Sequence, residues 1–185
     1  MRTRSDPEQM RARLLAAAGE VVLRQGLASL TLEAVAQAAG MSKGGLLHHY
    51  PSKDSLIKGL FVQLLEEFDQ EVARAIDPAE APGTPGRYTR AYIRASFATD
   101  ERQQDLGALL GLLVGVNPEL LTLAQTSFAR ARAAIAADGL DPVRGLLVQM
   151  ATDGVIFYEL LGMQILPAEQ CAQLFDELMR LTRAA

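Results

Sequence analysis

Thr31-Leu32-Glu33-Ala34-Val35-Ala36-Gln37-Ala38-Ala39-Gly40-Met41-Ser42-Lys43-Gly44-Gly45-Leu46-Leu47-His48-His49-Tyr50 is the segment on which the fold of this 185-residue chain turns. Two short helices crossing over a tight turn need a small residue at the crossing, a glycine at the turn and apolar residues facing a shared core. The pattern Ala36-x-x-x-Gly40-x-Ser42-x-x-x-Leu46 meets all three. Val35, Ala39 and Leu46 supply the apolar contacts, and Ser42 caps the second helix. The spacing predicts one helix from Thr31 to Gly40 and another from Ser42 to Tyr50, where Pro51 discourages continuation.

Charge singles out the same region. Every lysine and both histidines fall between Lys43 and Lys58. Residues 1–58 carry eight Lys+Arg against five Asp+Glu, a net of +3, and residues 59–185 carry ten against seventeen, a net of -7. Such asymmetry suggests a small basic module that meets nucleic acid, attached to a larger acidic body.

Outward from this segment, caps and breakers divide the chain into about nine helices, with Ala and Leu abundant and β-branched residues sparse. Asp6-Pro7 opens the first, which ends near Gly26. Ser52 caps a fourth, running from Lys53 to Ile76 with an apolar stripe through Leu56, Leu60, Leu64 and Phe68; at 1.5 Å per residue it spans roughly 36 Å, long enough to join two bodies. Asp77 to Arg87 is rich in proline and glycine and reads as a loop. Five further helices are expected at Tyr88–Thr99, Glu101–Val116, Pro118–Ala137, Pro142–Leu161 and Pro167–Arg183. The expected fold is all-α, with residues 1–52 as a helix-turn-helix domain and 53–185 as a second body. No apolar run approaches the roughly 20 residues of a membrane span. The single cysteine and the polar N-terminus fit a reducing, cytoplasmic setting.

The chemistry of the central segment suits DNA. Thr31 and Ser42 stand at helix N-termini, where a hydroxyl and free backbone N–H groups hold phosphate oxygens. Lys43 and Lys53 bracket the third helix and neutralise phosphates. Gly44 and Gly45 are poor helix formers that make sense where backbone must approach a duplex closely. Leu47 is placed to touch a thymine methyl and His48 to bond a base edge or phosphate, with His49 on a phosphate. Tyr50 admits two readings, a core aromatic or a base stacker. Adjacent His48 and His49 point about 100° apart on a helix and lack companion ligands, so no metal is expected.

From about Met10 to Leu65 the chain resembles the DNA-binding domain of the TetR family of bacterial transcriptional regulators. The resemblance is carried by Thr31-Leu32-Glu33-Ala34-Val35-Ala36-Gln37-Ala38-Ala39-Gly40-Met41-Ser42-Lys43-Gly44 and by Leu46-Leu47-His48-His49-Tyr50-Pro51-Ser52-Lys53-Asp54-Ser55-Leu56. It implies a homodimer on a palindromic operator of double-stranded DNA, and a C-terminal body that senses a small molecule. The family's operator contacts fall on Thr31, Ser42, Lys43, Gly45, Leu47, His48, His49 and Lys53. Leu47 departs from the family pattern, where tyrosine is frequent, so readout would lean on His48, the main chain and DNA shape.

In the second body, Pro142–Leu161 is too apolar for a single buried face and the last helix carries its own stripe. Paired across a two-fold axis, the two would form a four-helix bundle, with Leu147, Ala151, Val155, Tyr158, Cys171, Leu174, Phe175 and Leu178 as interface; the alternative is their complete burial within one monomer. A pocket for an apolar or amphipathic effector is expected among Phe61, Leu65, Tyr92, Phe97, Leu109, Leu113, Phe128, Met150, Asp153 and Tyr158. Asp153 reads either as a receptor for a cationic ligand or as the partner of a nearby Arg or helix end, and Cys171 as core or as an oxidant sensor. Catalysis is not expected. Ser55-x-x-Lys58 lacks the companion elements of a serine hydrolase site, and no phosphate loop or cofactor motif is present. A ligand-released repressor is the leading expectation, beside an effector-independent regulator or activator of the same fold and a helical carrier or enzyme whose basic segment is incidental.

Overall fold

A computed structural model describes residues 6–98, 105, 107, 108, 111, 113, 114, 117–160, 163 and 166–183, with backbone alone at 159 and 160. It contains α1 (Pro7–Gln25), α2 (Leu32–Ala38), α3 (Lys43–His49), α4 (Lys53–Arg74), α5 (Arg87–Phe97), α6 (Pro118–Ala136), α7 (Pro142–Leu160) and α8 (Ala168–Leu181). A short 3₁₀ turn, Leu27–Ser29, follows α1 and was not anticipated. Among the described residues there is no strand, and no helix is long and apolar enough to cross a membrane. The helix expected at Glu101–Val116 lies largely outside the described residues; within it, Asp105, Gly107, Ala108, Gly111, Leu113 and Val114 are helical.

Local signals set most boundaries. Asp6 accepts from the Glu8 amide at 3.1 Å, and Asn117 accepts from Glu119 and Leu120 at 3.0 and 3.2 Å. Before α4, Ser52 and Ser55 exchange reciprocal backbone-to-hydroxyl bonds of 3.0 Å each, a capping box with serine in the usual Glu position. α2 ends in a Schellman motif: Gly40 N–H donates to Gln37 O at 3.0 Å and Met41 N–H to Ala36 O at 2.9 Å. Gly40 adopts φ +64°, the left-handed conformation that this exit requires.

Three apolar clusters hold the chain together. The first joins α1 to α4 through Leu14, Val22, Leu30, Val35, Leu46, Leu56 and Phe61, and it also takes in Leu120 and Ala124 of α6. The second sets Val72, Tyr92 and Ile135 together, and the third sets Ile93 against Val148 and Leu178. Thus α4 and α6 both run from the helix-turn-helix into the second body.

The entry to α5 is tied down by polar contacts that no local sequence pattern announced. The Asp138 carboxylate accepts from the Tyr88 and Thr89 amides at 3.1 and 2.8 Å and from the Thr89 hydroxyl at 2.7 Å, capping α5 from a distance. Arg90, only 4% exposed, donates to both carboxylate oxygens of Glu80 at 2.8 and 2.9 Å and to the carbonyls of Pro85 and Thr182. Gly86 has φ +77°, and a Cβ there would lie 2.4 Å from the Thr182 carbonyl, so the crossing of loop and C-terminus admits only glycine.

Candidate nucleic-acid interface

α3 is anchored by one residue. Leu46 is fully buried in the first cluster, so the helical turn sends its neighbours outward. Gly44 and His48 are exposed, His49 is half-buried, and Leu47 keeps 38% of its surface in solvent despite being apolar. The two histidine rings stand edge to face, 5.5 Å apart.

Two hydroxyls frame this surface. Thr31 Oγ1 accepts from the Ala34 amide and Ser42 Oγ from the Gly45 amide, each at 3.1 Å. As caps, both use acceptor capacity only, which leaves each hydroxyl proton to donate to an anion. A Cβ added at Gly44 would meet nothing within 4 Å, whereas one at Gly45 would meet Met41 Cε and Ser42 Oγ at 3.3 Å. Gly44 is therefore free of any packing requirement within the chain.

The lysines divide in a way the sequence did not reveal. Lys43 forms an ion pair with Glu33 on α2, and the Lys43 hydrogen bond holds the Glu33 carboxyl below its ordinary range. Lys58 pairs with Glu119 of α6. Lys53 is exposed at the start of α4 with no acidic partner among the described residues. Glu33 escaped notice because its partner lies ten positions away, across the turn. For Tyr50 the structure decides between the two readings. Its side chain is buried, packed where a Cβ at Gly59 would come within 2.8 Å of the ring, and burial raises its phenol above the usual range. It belongs to the core, because the chain turns inward as α3 ends.

The second body corrects several expectations. Phe61 lies inside the first cluster, and Leu65 and Leu113 pack against it; α4 and the 113–114 region face the helix-turn-helix there. Phe128, Met150 and Tyr158 are exposed. Tyr92 and Asp153 do come together, the phenol donating to Asp153 Oδ1 at 2.5 Å. Phe97 stacks edge-on with Phe175, 5.4 Å between centroids, and both line an open groove of about 610 Å³ with Arg94, Cys171 and Asp176. Leu109 lies outside the described residues. Among the expected interface residues, Leu178 is buried inside the monomer against Ile93 and Val148, and Leu174 and Phe175 pack on that cluster. Ala151, Val155 and Cys171 are half-buried. Leu147 is 61% exposed, and Val143, Leu146, Met150, Phe157 and Tyr158 share α7 with it as further exposed apolar residues.

Comparison with known proteins agrees with this geometry. Residues 14–60 match the model for bacterial regulatory proteins of the tetR family, and residues 86–183 match the tetracyclin repressor-like C-terminal domain. The transcriptional regulator BetI of Stenotrophomonas maltophilia is 31% identical over 87 residues, covering 47% of this chain and 43% of BetI. UidR of Escherichia coli K12 is 32% identical over 80 residues, covering 43% and 38%. The chain thus spans less than half the length of these curated relatives. Among solved structures, the multidrug binding protein EbrR in complex with imidazole superposes with a TM-score of 0.69 at 25% identity, covering 95% of this chain and 96% of EbrR. A TetR-family member from Streptomyces coelicolor A3 gives 0.73 at 24%, covering 95% and 99%, a likeness of fold. With matches to both parts, the C-terminal one spanning more than half of its length, the chain belongs to the TetR family of bacterial regulatory proteins.

Proposed function

We propose that the protein is a transcriptional repressor that grips a palindromic operator as a homodimer and lets go when a small apolar or amphipathic effector binds its second body. The observation that carries this reading is the presentation of α3. The helix is pinned by buried Leu46 and flanked by the hydroxyls of Ser42 and Thr31, and it offers Gly44, Leu47 and His48 to solvent. In a dimer, two such helices enter successive major grooves about 34 Å apart. Residues 1–52 read the DNA, and residues 53–185 dimerise and sense, with α4 joining the two.

The exposed apolar face of α7 supports a second copy as its cover. The small-molecule complexes of EbrR, with imidazole, malachite green and ethidium, support an effector for this chain as well. We read the protein as a cytoplasmic regulator without catalysis of its own, in keeping with the regulators among its relatives. The Ser55 hydroxyl, which a hydrolase reading would use, is engaged in the cap of α4.

The test is binding to a selected operator at several salt concentrations. Lys53→Ala should weaken all duplex binding and reduce the log–log salt slope by about 1, whereas His48→Ala should change the preferred sequence. Lys43→Ala should reduce the slope by less, because Glu33 already claims part of that charge. A purified dimer that shifts no genomic fragment at low salt overturns the reading.

A further inference from the structure

Away from the DNA-reading surface, four side chains from three helices converge: Phe68 of α4, Tyr92 of α5, and Gln149 and Asp153 of α7. The Phe68 ring stands edge-on to Tyr92 with centroids 5.5 Å apart, and Tyr92 donates to Asp153 Oδ1 at 2.5 Å. Gln149, one helical turn before Asp153, is 1% exposed, yet neither its Nε2 nor its Oε1 has a hydrogen-bond partner among the described residues. Its neighbour Thr152 is equally buried but satisfied, its hydroxyl donating to Val148 O at 2.8 Å. A buried amide left unpaired is costly, and a leucine would fill similar space without that cost.

Asp153 is half-buried, so part of the residue meets solvent. Among the described residues no Lys or Arg lies at ion-pair distance from it. Arg132, exposed on α6, acts on it only from farther off. Burial pushes the Asp153 carboxyl above its ordinary range; the Tyr92 hydrogen bond, the nearby Gln149 amide and Arg132 offset part of that rise. Gln149 influences the carboxylate without a hydrogen bond of acceptable geometry.

We infer that this cluster recognises the effector and that the effector is an organic cation, a positively charged nitrogen carried on an aromatic or apolar body. The inference rests on the effector reading above and specifies its ligand class. A carboxylate in apolar surroundings is stabilised when a counter-charge reaches it. Asp153 Oδ2 would accept from an N–H donor, while Gln149 Oε1 and the Tyr92 ring, both buried in the free protein, would join it only as a ligand parts the surrounding helices. A neutral compound would leave the carboxylate without a counter-charge, and an anion would meet a like charge.

The test titrates the full-length protein, free of DNA because ethidium intercalates, with ethidium and with uncharged phenanthridinone, which shares its tricyclic frame. Melting midpoints and operator binding of Asp153→Asn and Tyr92→Phe establish that both variants are folded. Ethidium should bind wild type about tenfold more tightly than phenanthridinone or better. Asp153→Asn should erase that preference, raising the ethidium Kd roughly tenfold while phenanthridinone stays within about twofold. Equal affinities for the two compounds, no ethidium binding, or ethidium binding indifferent to Asp153→Asn would each overturn the assignment. If uncharged compounds release the operator, the effector reading stands and only the cation class falls. If no member of a hydrophobic panel alters operator binding, the effector reading itself fails.

Discussion

Gly44 is a residue that works against helix stability with no packing reason inside the described chain. Glycine costs a helix about 1 kcal/mol relative to alanine, and nothing in the chain occupies the space a methyl would take. Gly44→Ala should therefore raise unfolding stability by up to about 1 kcal/mol in denaturant titrations. If α3 approaches a duplex backbone there, the same variant should lose operator affinity. A variant both more stable and fully active would show that the position is not a contact. Asp153 makes a pH-dependent prediction. Its carboxyl is raised in the folded state, so protonation is favoured by folding, and the associated stability is present at low pH and lost as pH rises through the folded pKa. Asp153→Asn does not titrate. Melts of the two proteins in parallel should show wild type losing ground to the variant as pH rises above the ordinary Asp range of about 4. A difference independent of pH would mean that burial does not penalise this charge.

At the level of elements, short-range and long-range caps obey the same electrostatics but differ in how far apart their partners sit. Asp6, Thr31, Ser42, Ser52 and Asn117 cap helices that begin one residue later, so each was legible in the sequence. α5 instead takes its cap from Asp138, about fifty positions downstream, and Arg90 clasps Glu80 on one side and Thr182 on the other. Arg90→Ala removes one partner of a largely buried pair and leaves the Pro85 and Thr182 carbonyls without their donor. We expect a loss of about 3 kcal/mol, measured by chemical denaturation, or roughly 6–12 °C in Tm for a chain of this size. A loss below ~1 kcal/mol would reduce the clasp to a surface ion pair.

For the whole molecule, the proposed dimer would have to hold two α3 helices at a spacing DNA accepts. α7 leaves Val143, Leu147 and Phe157 about 60% exposed, a stripe that a second copy of the same helix would cover. Leu147→Glu should shift the protein from dimer to monomer in light scattering and abolish operator binding while leaving the helical spectrum intact. A variant that remains dimeric would place the interface elsewhere. The helix-turn-helix is not an independent bead on α4, since Leu120 and Ala124 of α6 complete its core and Lys58 pairs with Glu119. A rearrangement of the second body would therefore reach α3 through α6 as well as α4, and a population shift between two spacings needs only a few kcal/mol of differential effector affinity.

Helix positions, the turn at Gly40, the caps and the basic polarity of the helix-turn-helix segment were readable from the chain alone. Each depends on residues within one or two helical turns of one another, where spacing translates directly into geometry. Tyr50 is the informative exception: it sits one residue past the exposed His49, yet its ring is core because α4 packs Gly59 beneath it. The same distinction explains the second body. Its apolar helices reveal that surface will be buried, but not whether neighbouring helices or a second subunit will bury it: Phe61 lies in the first apolar cluster and Met150 is exposed. Only the tertiary structure decided that Glu33 restrains Lys43, that Arg90 clasps the C-terminus, and that Tyr92 and the buried Gln149 come together around Asp153. Those pairings join residues far apart in sequence, and their existence follows from how the helices cross.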